Sequence, residues 1–276
     1  MKTWFITGAS RGMGAEFAKA ALEFGDSVVA TSRSAESVTR ALGSSELLLP
    51  FTLDVTQPAD ADRAVGAAVE RFGRIDVLVN NAGYGLCGAL EECSVEETLA
   101  QYQTNVFGLI NVTRAALPVL RRQRAGHIVN VSSVGGFHAD AGISAYCGTK
   151  FAVEGLSEAL AKEVAPLGIR VTIAEPGYFR TELLALEALQ YAATEIEDYG
   201  ETAGAVRRSA PTMHGKQAGD PRKLALALLR IVNSSNPPLR FLAGSDAVGM
   251  FEQKLEGTRT ELESWRELSV SLGYDE

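Results

Sequence analysis

"TWFITGASRGMG", residues 3–14, is a short apolar run that empties into a loop of small residues. Trp4, Phe5 and Ile6 lead to Gly8, Gly12 and Gly14, with Ser10, Arg11 and Met13 between them. A helical pattern begins at residue 13. Glycine tolerates backbone angles that other residues avoid and lets a ligand come close to the main chain. Backbone N–H groups at the start of a helix attract anions, phosphate above all. The spacing Gly-x-x-x-Gly-x-Gly differs from the commoner Gly-x-Gly-x-x-Gly, and taken alone it fits a tight strand-to-helix turn equally well. The setting adds weight: a strand, a loop and a helix open a βαβ unit, where a dinucleotide pyrophosphate binds.

Working outward, short β-rich runs alternate with amphipathic helical stretches. Strands are predicted over residues 3–7, 27–31, 47–53, 76–80, 126–132, 169–175 and 239–242. Several are continuously apolar, such as Val77-Leu78-Val79, as strands buried on both faces of a parallel sheet are. Helices are predicted over 13–24, 58–72, 95–122, 146–166 and 221–233, the last opened by Asp220 as N-cap before Pro221. The alternation predicts an α/β fold with a doubly wound, mostly parallel sheet, Rossmann-like, in one domain over residues 1–276. Two regions break the rhythm. Residues 181–219 are far longer than a usual connection and are expected to cover the active site, with helical pieces over 182–218. Residues 246–270 form a terminal helix whose stripe of Val248, Phe251, Leu255, Leu262 and Trp265 is expected to pack as core.

The bulk numbers narrow the partners. The chain has 276 residues, 46% hydrophobic and 22% charged, with a net charge of −8. Nucleic acid, whose binders usually show a basic patch, is therefore not an expected partner. No stretch has the apolar length of a membrane span, and no secretory h-region precedes Gly8. The three cysteines, Cys87, Cys93 and Cys147, have no metal-like spacing and fit a reducing, cytoplasmic setting. The three histidines stand apart from other metal-ligand types, so no metal is expected.

An acidic residue about 20 positions beyond the glycine loop would bind the ribose of NAD. Here that place holds Ser32 and Arg33. A guanidinium binds phosphate through paired, charge-assisted hydrogen bonds, and Arg11 lies close by in the loop. Each arginine alone also reads as a solvated surface charge. Two together, with no acid against them, favour a 2′-phosphate and hence NADP(H) over NAD(H).

"YCGTK", residues 146–150, opens a helical segment and places Tyr146 and Lys150 on one face. A tyrosine with a pKa near ~10 is a poor base by itself; an adjacent ammonium is expected to lower that value. The pair suits general acid–base work on a hydroxyl or carbonyl, although this spacing also recurs by chance in helices. "IVNVSSVGG" runs a buried strand into Ser132 and Ser133, and "VNNAG" ends another strand at Asn81, Ala82 and Gly83.

In that order, "TGASRGMG", "NNAG", Ser133 and "YCGTK" resemble the one-domain short-chain dehydrogenase/reductases, over residues 1 to about 242. The thirteen-residue step from Ser133 to Tyr146 matches the family's common spacing. The resemblance implies that Asn105, Ser133, Tyr146 and Lys150 are catalytic, with Asn105 holding a water in a proton relay behind the lysine. It implies that Asp54 and Val55 line the adenine, and that Pro176, Gly177, Phe179 and Thr181 in "PGYFRT" hold the nicotinamide end. Cys147 stands where a serine often follows in the family.

The implied reaction is hydride transfer between nicotinamide C4 and a carbonyl or secondary alcohol, with Tyr146 giving the proton and Ser133 bonding the same oxygen. A dinucleotide sensor without catalysis is the alternative on this fold, but such relatives usually lack the tyrosine or lysine. The resemblance places substrate contacts in three loops, which here offer Tyr84, Leu86, Phe137, Tyr178, Leu183, Leu184 and Met213 and suit an apolar compound. It also implies a homodimer or homotetramer through the helices at 95–122 and 146–166.

Overall fold

β1 (Thr3–Thr7) is buried along its whole length, and its alternation decides what each sheet face carries. Trp4 and Ile6 point to one side and Phe5 to the other, as successive strand residues must. The computed structural model describes residues 1–181 and 189–274. Within it seven strands form one sheet: β2 (Ser27–Ser32), β3 (Leu48–Thr52), β4 (Val77–Asn80), β6 (Gly126–Val131), β7 (Ile169–Pro176) and β9 (Arg240–Ala243) join β1 in the order β3-β2-β1-β4-β6-β7-β9. Every pairing in it is parallel.

Helices cover both faces. α1 (Gly12–Glu23) and α8 (Pro221–Val232) pack on the face of Trp4 and Ile6, joined by Val38 of the short α2 (Ala35–Leu42). α3 (Pro58–Phe72), α5 (Gly108–Gln123) and the end of α6 (Ser144–Val164) pack on the face of Phe5, Leu78 and Ile128. α8 begins where Asp220 predicts, its carboxylate accepting from the Arg222 N–H at 2.9 Å. The strand order reverses direction between β1 and β4, and such a reversal opens a crevice beyond the carboxyl ends of the strands.

The predicted helix 95–122 is divided. α4 (Val95–Tyr102) and α5 are separated by a π turn at Gln103–Phe107. One extra residue per turn shifts the helix face, and such bulges gather at functional positions; this one carries Asn105.

The long insert differs from the expected set of helical pieces. β5 (Gly85–Cys87) and β8 (Leu189–Tyr191) form a separate parallel pair, and α7 (Ala203–Met213) follows. The segment is tied down: the Ile196 N–H donates to Glu92 at 2.9 Å, the Ala193 N–H to Glu97 at 3.0 Å, and Arg207 to the Ala192 carbonyl at 3.2 Å. The expected lid helix over residues 182–188 lies outside the described residues.

α9 (Ser245–Val270) corrects the expectation of a packed terminal stripe. Phe251 does pack, its ring edge-on to Phe137 at 4.9 Å between centroids. Val248, Leu255, Leu262 and Trp265 are exposed. The helix runs off the body after its second turn, so beyond Phe251 the stripe is exposed.

Candidate active site

The carboxyl ends of β1, β2, β4, β6 and β7 open onto one cleft of about 1250 Å³. Its floor is the glycine loop. Gly8 and Gly12 have φ of +67° and +56°, the left-handed region that penalises any side chain. A Cβ on Gly8 would stand 3.0 Å from the Ala82 Cα, and one on Gly14 would overlap the Gly8 carbonyl oxygen. Asn81 holds this approach, its Nδ2 donating to the Thr7 carbonyl at 2.9 Å and the Gly8 carbonyl at 3.2 Å. Arg11 is the N-cap residue of α1, and no side chain caps the helix. A bare loop kept clear of Cβ atoms, ending at an uncapped helix start, fits the pyrophosphate of a dinucleotide.

One end of the cleft is basic. Arg11, Ser32, Arg33, Ser34, Ser37 and Arg40 line it. Ser32 Oγ donates to the Ser34 carbonyl at 2.7 Å and lies 2.9 Å from Ser37 Oγ. All three arginines are exposed, and no described residue pairs with their guanidinium groups. Asp54 and Val55 line the neighbouring wall. Asp54 is turned back on its own loop, accepting from the Thr56 N–H and hydroxyl at 2.9 and 2.8 Å.

At the other end Ser133, Tyr146 and Lys150 line the cleft together. Ser133 follows β6 and caps a single 3₁₀ turn, its hydroxyl accepting from the Gly135 N–H at 3.1 Å. Tyr146 and Lys150 stand on the first turns of α6. Lys150 Nζ is buried, donates to the Val131 carbonyl at 2.9 Å, and lies 5.7 Å from the Tyr146 ring centroid.

Asn105 sits just behind, outside the lining. Its Oδ1 accepts from the Tyr84 N–H at 3.1 Å, and its Nδ2 donates to the Tyr84 carbonyl at 2.9 Å and to Thr149 Oγ1 at 3.1 Å. A Cβ on Gly83 would meet Asn105 Oδ1 at 3.1 Å and Lys150 Nζ at 3.9 Å. The asparagine and the lysine therefore converge on the Gly83 backbone.

The electrostatics depart from expectation. Burial pushes the Tyr146 phenol up to about 12, with the Ser133 hydroxyl pulling against it. Burial pushes Lys150 down to about 8, with Glu154 opposing. Desolvation disfavours the charged form of each group, and here it outweighs the attraction expected from lysine to phenolate. At neutral pH the pair is a neutral phenol beside an ammonium: a group with a proton to give.

Glu154, one turn beyond Lys150, belongs to a buried carboxylate pair. Arg240 on β9 bonds Glu154, Glu158 and Glu175 at once. Burial, and then Glu154, push Glu175 up to about 7. The sequence carried no sign of this cluster, because its members lie on three distant elements.

The other assigned residues divide. Ser10, Gly12, Met13, Ala82, Gly83, Pro176, Gly177 and Thr181 line the cleft, as does Tyr84. Gly14 lies beneath it, spacing α1 from β1. Phe179 turns away: it bridges to Gly219 and packs on the core. Leu86 is buried on β5, and Phe137 is buried against Phe251; both support walls rather than line them. Tyr178 and Met213 are over a third exposed and outside the lining. Leu183 and Leu184 lie outside the described residues. Sequence reading missed Ser37 and Arg40, which α2 brings round to the basic end, and Gln190, which β8 brings to the catalytic end.

Among the described residues no cluster of His, Cys, Asp and Glu could hold a metal ion, and no helix is long and apolar enough to cross a membrane. A family model for short chain dehydrogenase matches residues 2–191. "Oxidoreductase BOA17" of Botryotinia fuckeliana is 43% identical over 272 residues, covering 98% of each chain. A "3-ketodihydrosphingosine reductase" of Bacteroides thetaiotaomicron is 39% identical over 87% of this chain and 86% of its own. Among solved structures, a short-chain dehydrogenase from Streptomyces avermitilis superposes with a TM-score of 0.90 at 39% identity, covering 99% of this chain and 98% of that chain.

Proposed function

Because the chain belongs to the short-chain dehydrogenase family, we propose that it is an NADP(H)-dependent reductase of apolar carbonyl compounds, or the reverse alcohol dehydrogenase. The observation that carries this is the two-ended cleft: Ser133, Tyr146 and Lys150 at one end, and Arg11, Arg33 and Arg40 at the other.

Three guanidinium groups with no partner among the described residues, at an end whose lining includes no carboxylate, support NADP(H), since a 2′-phosphate supplies the anion they lack. Gly8, Gly12 and Gly14 make room for the pyrophosphate, and Lys150, Gly177 and Thr181 would hold the nicotinamide end. When bound, the cofactor supplies the hydride. The chain supplies the rest. Tyr146 gives its proton to the carbonyl oxygen, and Ser133 donates a hydrogen bond to the same oxygen. Lys150, cationic below about pH 8, offsets the charge left on the phenol. Asn105 anchors the Tyr84 backbone behind the lysine, where a water could return the proton.

Among the described residues the lining of the catalytic end, with Tyr84, Gln190, Gly177 and Thr181, holds no charged group besides Lys150. That supports an uncharged substrate rather than a phosphorylated one. A relative named a 3-ketodihydrosphingosine reductase supports a ketone as the group reduced. The exposed Leu99 and Phe107, and Phe151 and Leu156 on α6, support a homo-oligomer through these helices.

The test is NADPH consumption with a panel of ketones, beside Tyr146→Phe. The variant should bind NADPH as the wild type does and turn over ~100 to 10,000 times more slowly, the usual share of general acid–base catalysis. Near-normal turnover in the variant would remove the tyrosine from the mechanism.

A further inference from the structure

Among the described residues α9 is anchored only at its root. Ala247 is fully buried, the Tyr178 N–H donates to Asp246 at 2.6 Å, and Phe251 packs on Phe137. From Glu252 to Tyr274 every residue is exposed. An arm of roughly 30 Å, at 1.5 Å per residue, stands free of the body. A helix of this length without tertiary contacts is marginal in water, so the arm calls for a partner.

Its side chains say which kind. Val248, Phe251, Leu255, Thr258, Leu262, Trp265, Ser269 and Leu272 follow one another at alternating steps of three and four. That is a heptad seam, the pattern two helices use to pack knobs into holes. Leu255 is 56% exposed, Leu262 50% and Trp265 63%, so the seam beyond Phe251 is bare. Charged residues flank it: Glu252, Arg259 and Arg266 on one side, Lys254 and Glu261 on the other.

We infer that α9 pairs with α9 of a second copy of this chain as an antiparallel coiled coil. The flanking charges select both direction and register. Antiparallel helices bring like-named flanks together. With Leu255 layered on the partner's Thr258, and Leu262 on the partner's Phe251, Lys254 meets the partner's Glu261 and Glu252 meets the partner's Arg259. Two-fold symmetry repeats each pair, giving four complementary contacts. Sliding by one heptad sets Arg259 against the partner's Arg259 and Glu261 against the partner's Glu261. A parallel pairing sets Lys254 against the partner's Arg259. Both alternatives carry like-charge contacts, the usual means of rejecting a register. In the selected register the segment from Leu262 to Leu268 lies along the partner's α9 root. There Asp246 packs on Gly177 and Phe251 on Phe137, beside the catalytic end of the cleft.

The pair Lys254 and Glu261 tests this cleanly, because neither has a charged neighbour three or four residues away on its own helix. Sedimentation velocity of the full chain over a concentration series gives the dissociation constant of the pairing step, whether monomer to dimer or dimer to tetramer. Lys254→Glu and Glu261→Lys, each alone, should weaken it at least tenfold. The double variant Lys254→Glu/Glu261→Lys should return to within about threefold of wild type, and Leu262→Asp should abolish the step. Circular dichroism and melting temperature confirm that the body is intact in each. Unchanged association in Leu262→Asp, or a double variant no better than the singles, overturns the proposal.

Discussion

The Lys150 ammonium stands 5.7 Å from the Tyr146 ring centroid while donating to the Val131 carbonyl at 2.9 Å. Burial lowers the lysine to about 8 and raises the tyrosine to about 12. As pH rises, the lysine therefore gives up its proton first. The alkaline limb of carbonyl reduction should fall near pH 8 and report Lys150. An arginine at this position stays charged to far higher pH, so Lys150→Arg should move the limb upward even if the rate falls. A limb that stays in place when kcat is followed against pH would assign it to Tyr146 instead.

The basic end of the cleft predicts how cofactor preference is divided. A hydrogen bond to a charged group is worth about 1.5–3 kcal/mol, or roughly 10- to 100-fold in affinity. Arg33→Ala should raise the KM for NADPH by that factor and leave the KM for NADH within about twofold. Arg40→Ala, on the edge of the same wall, should act in the same direction by a smaller factor. Ser32→Asp should move preference toward NADH, because a carboxylate repels phosphate and accepts from a ribose hydroxyl. Equal effects of Arg33→Ala on both nucleotides would remove the basis for choosing NADP(H).

The glycine loop gives a prediction independent of activity. A methyl group at residue 14 would overlap the Gly8 carbonyl oxygen and come within 2.5 Å of Asn81 Nδ2. Both neighbours are fixed, the first as backbone and the second by its bonds to the Thr7 and Gly8 carbonyls. Gly14→Ala should destabilise the fold by about 1–3 kcal/mol, the usual cost of overpacking, and weaken nucleotide binding. Gly66, with open space around its position, serves as the control: Gly66→Ala on helix α3 should not destabilise. Equal melting temperatures for wild type and Gly14→Ala would show that the loop has more room than its geometry implies.

These contacts mark what a sequence makes legible. The buried strands were readable because a strand covered on both faces is continuously apolar, as Val77-Leu78-Val79 is. The glycine loop, Ser133 and Tyr146-x-x-x-Lys150 were readable because their chemistry is local. α2 was not: it buries only Val38, too little to create a period, and Arg40 was missed with it. The β5–β8 pair joins three-residue strands about a hundred positions apart, and no local pattern announces such a contact. The π turn at Asn105 leaves an ordinary helical composition. The stripe on α9 was seen but misplaced, since core packing and a free seam share one period and only the run of the chain separates them. The Tyr146 shift was expected downward because charge is visible in sequence and burial is not.

Burial also governs the last prediction. Glu175 is fully buried, and its carboxyl is raised to about 7 by desolvation first and by Glu154 second. An unfolded glutamate titrates near ~4.3. Between those values the folded state holds a proton that the unfolded state has released. Stability linked to Glu175 is thus fully present below the unfolded pKa and is lost as pH rises through about 7. His127 acts with the opposite sign. Burial lowers it to about 4, so its contribution grows as pH rises from 4 and levels off near its unfolded value of about 6.5. Lys150 adds a rise only above about 8. Comparing Glu175→Gln with wild type removes these shared terms. Melting temperatures taken at pH 5, 6, 7 and 8 should converge or cross, with the advantage of wild type shrinking from pH 5 to about 7 and levelling off above it. Arg240 keeps Glu154 and Glu158 as partners in the variant, so the cation is not left unpaired. Two parallel melting curves across that range would mean that Glu175 is ionised in the folded protein at every pH tested, and that Arg240 rather than a proton neutralises the pair.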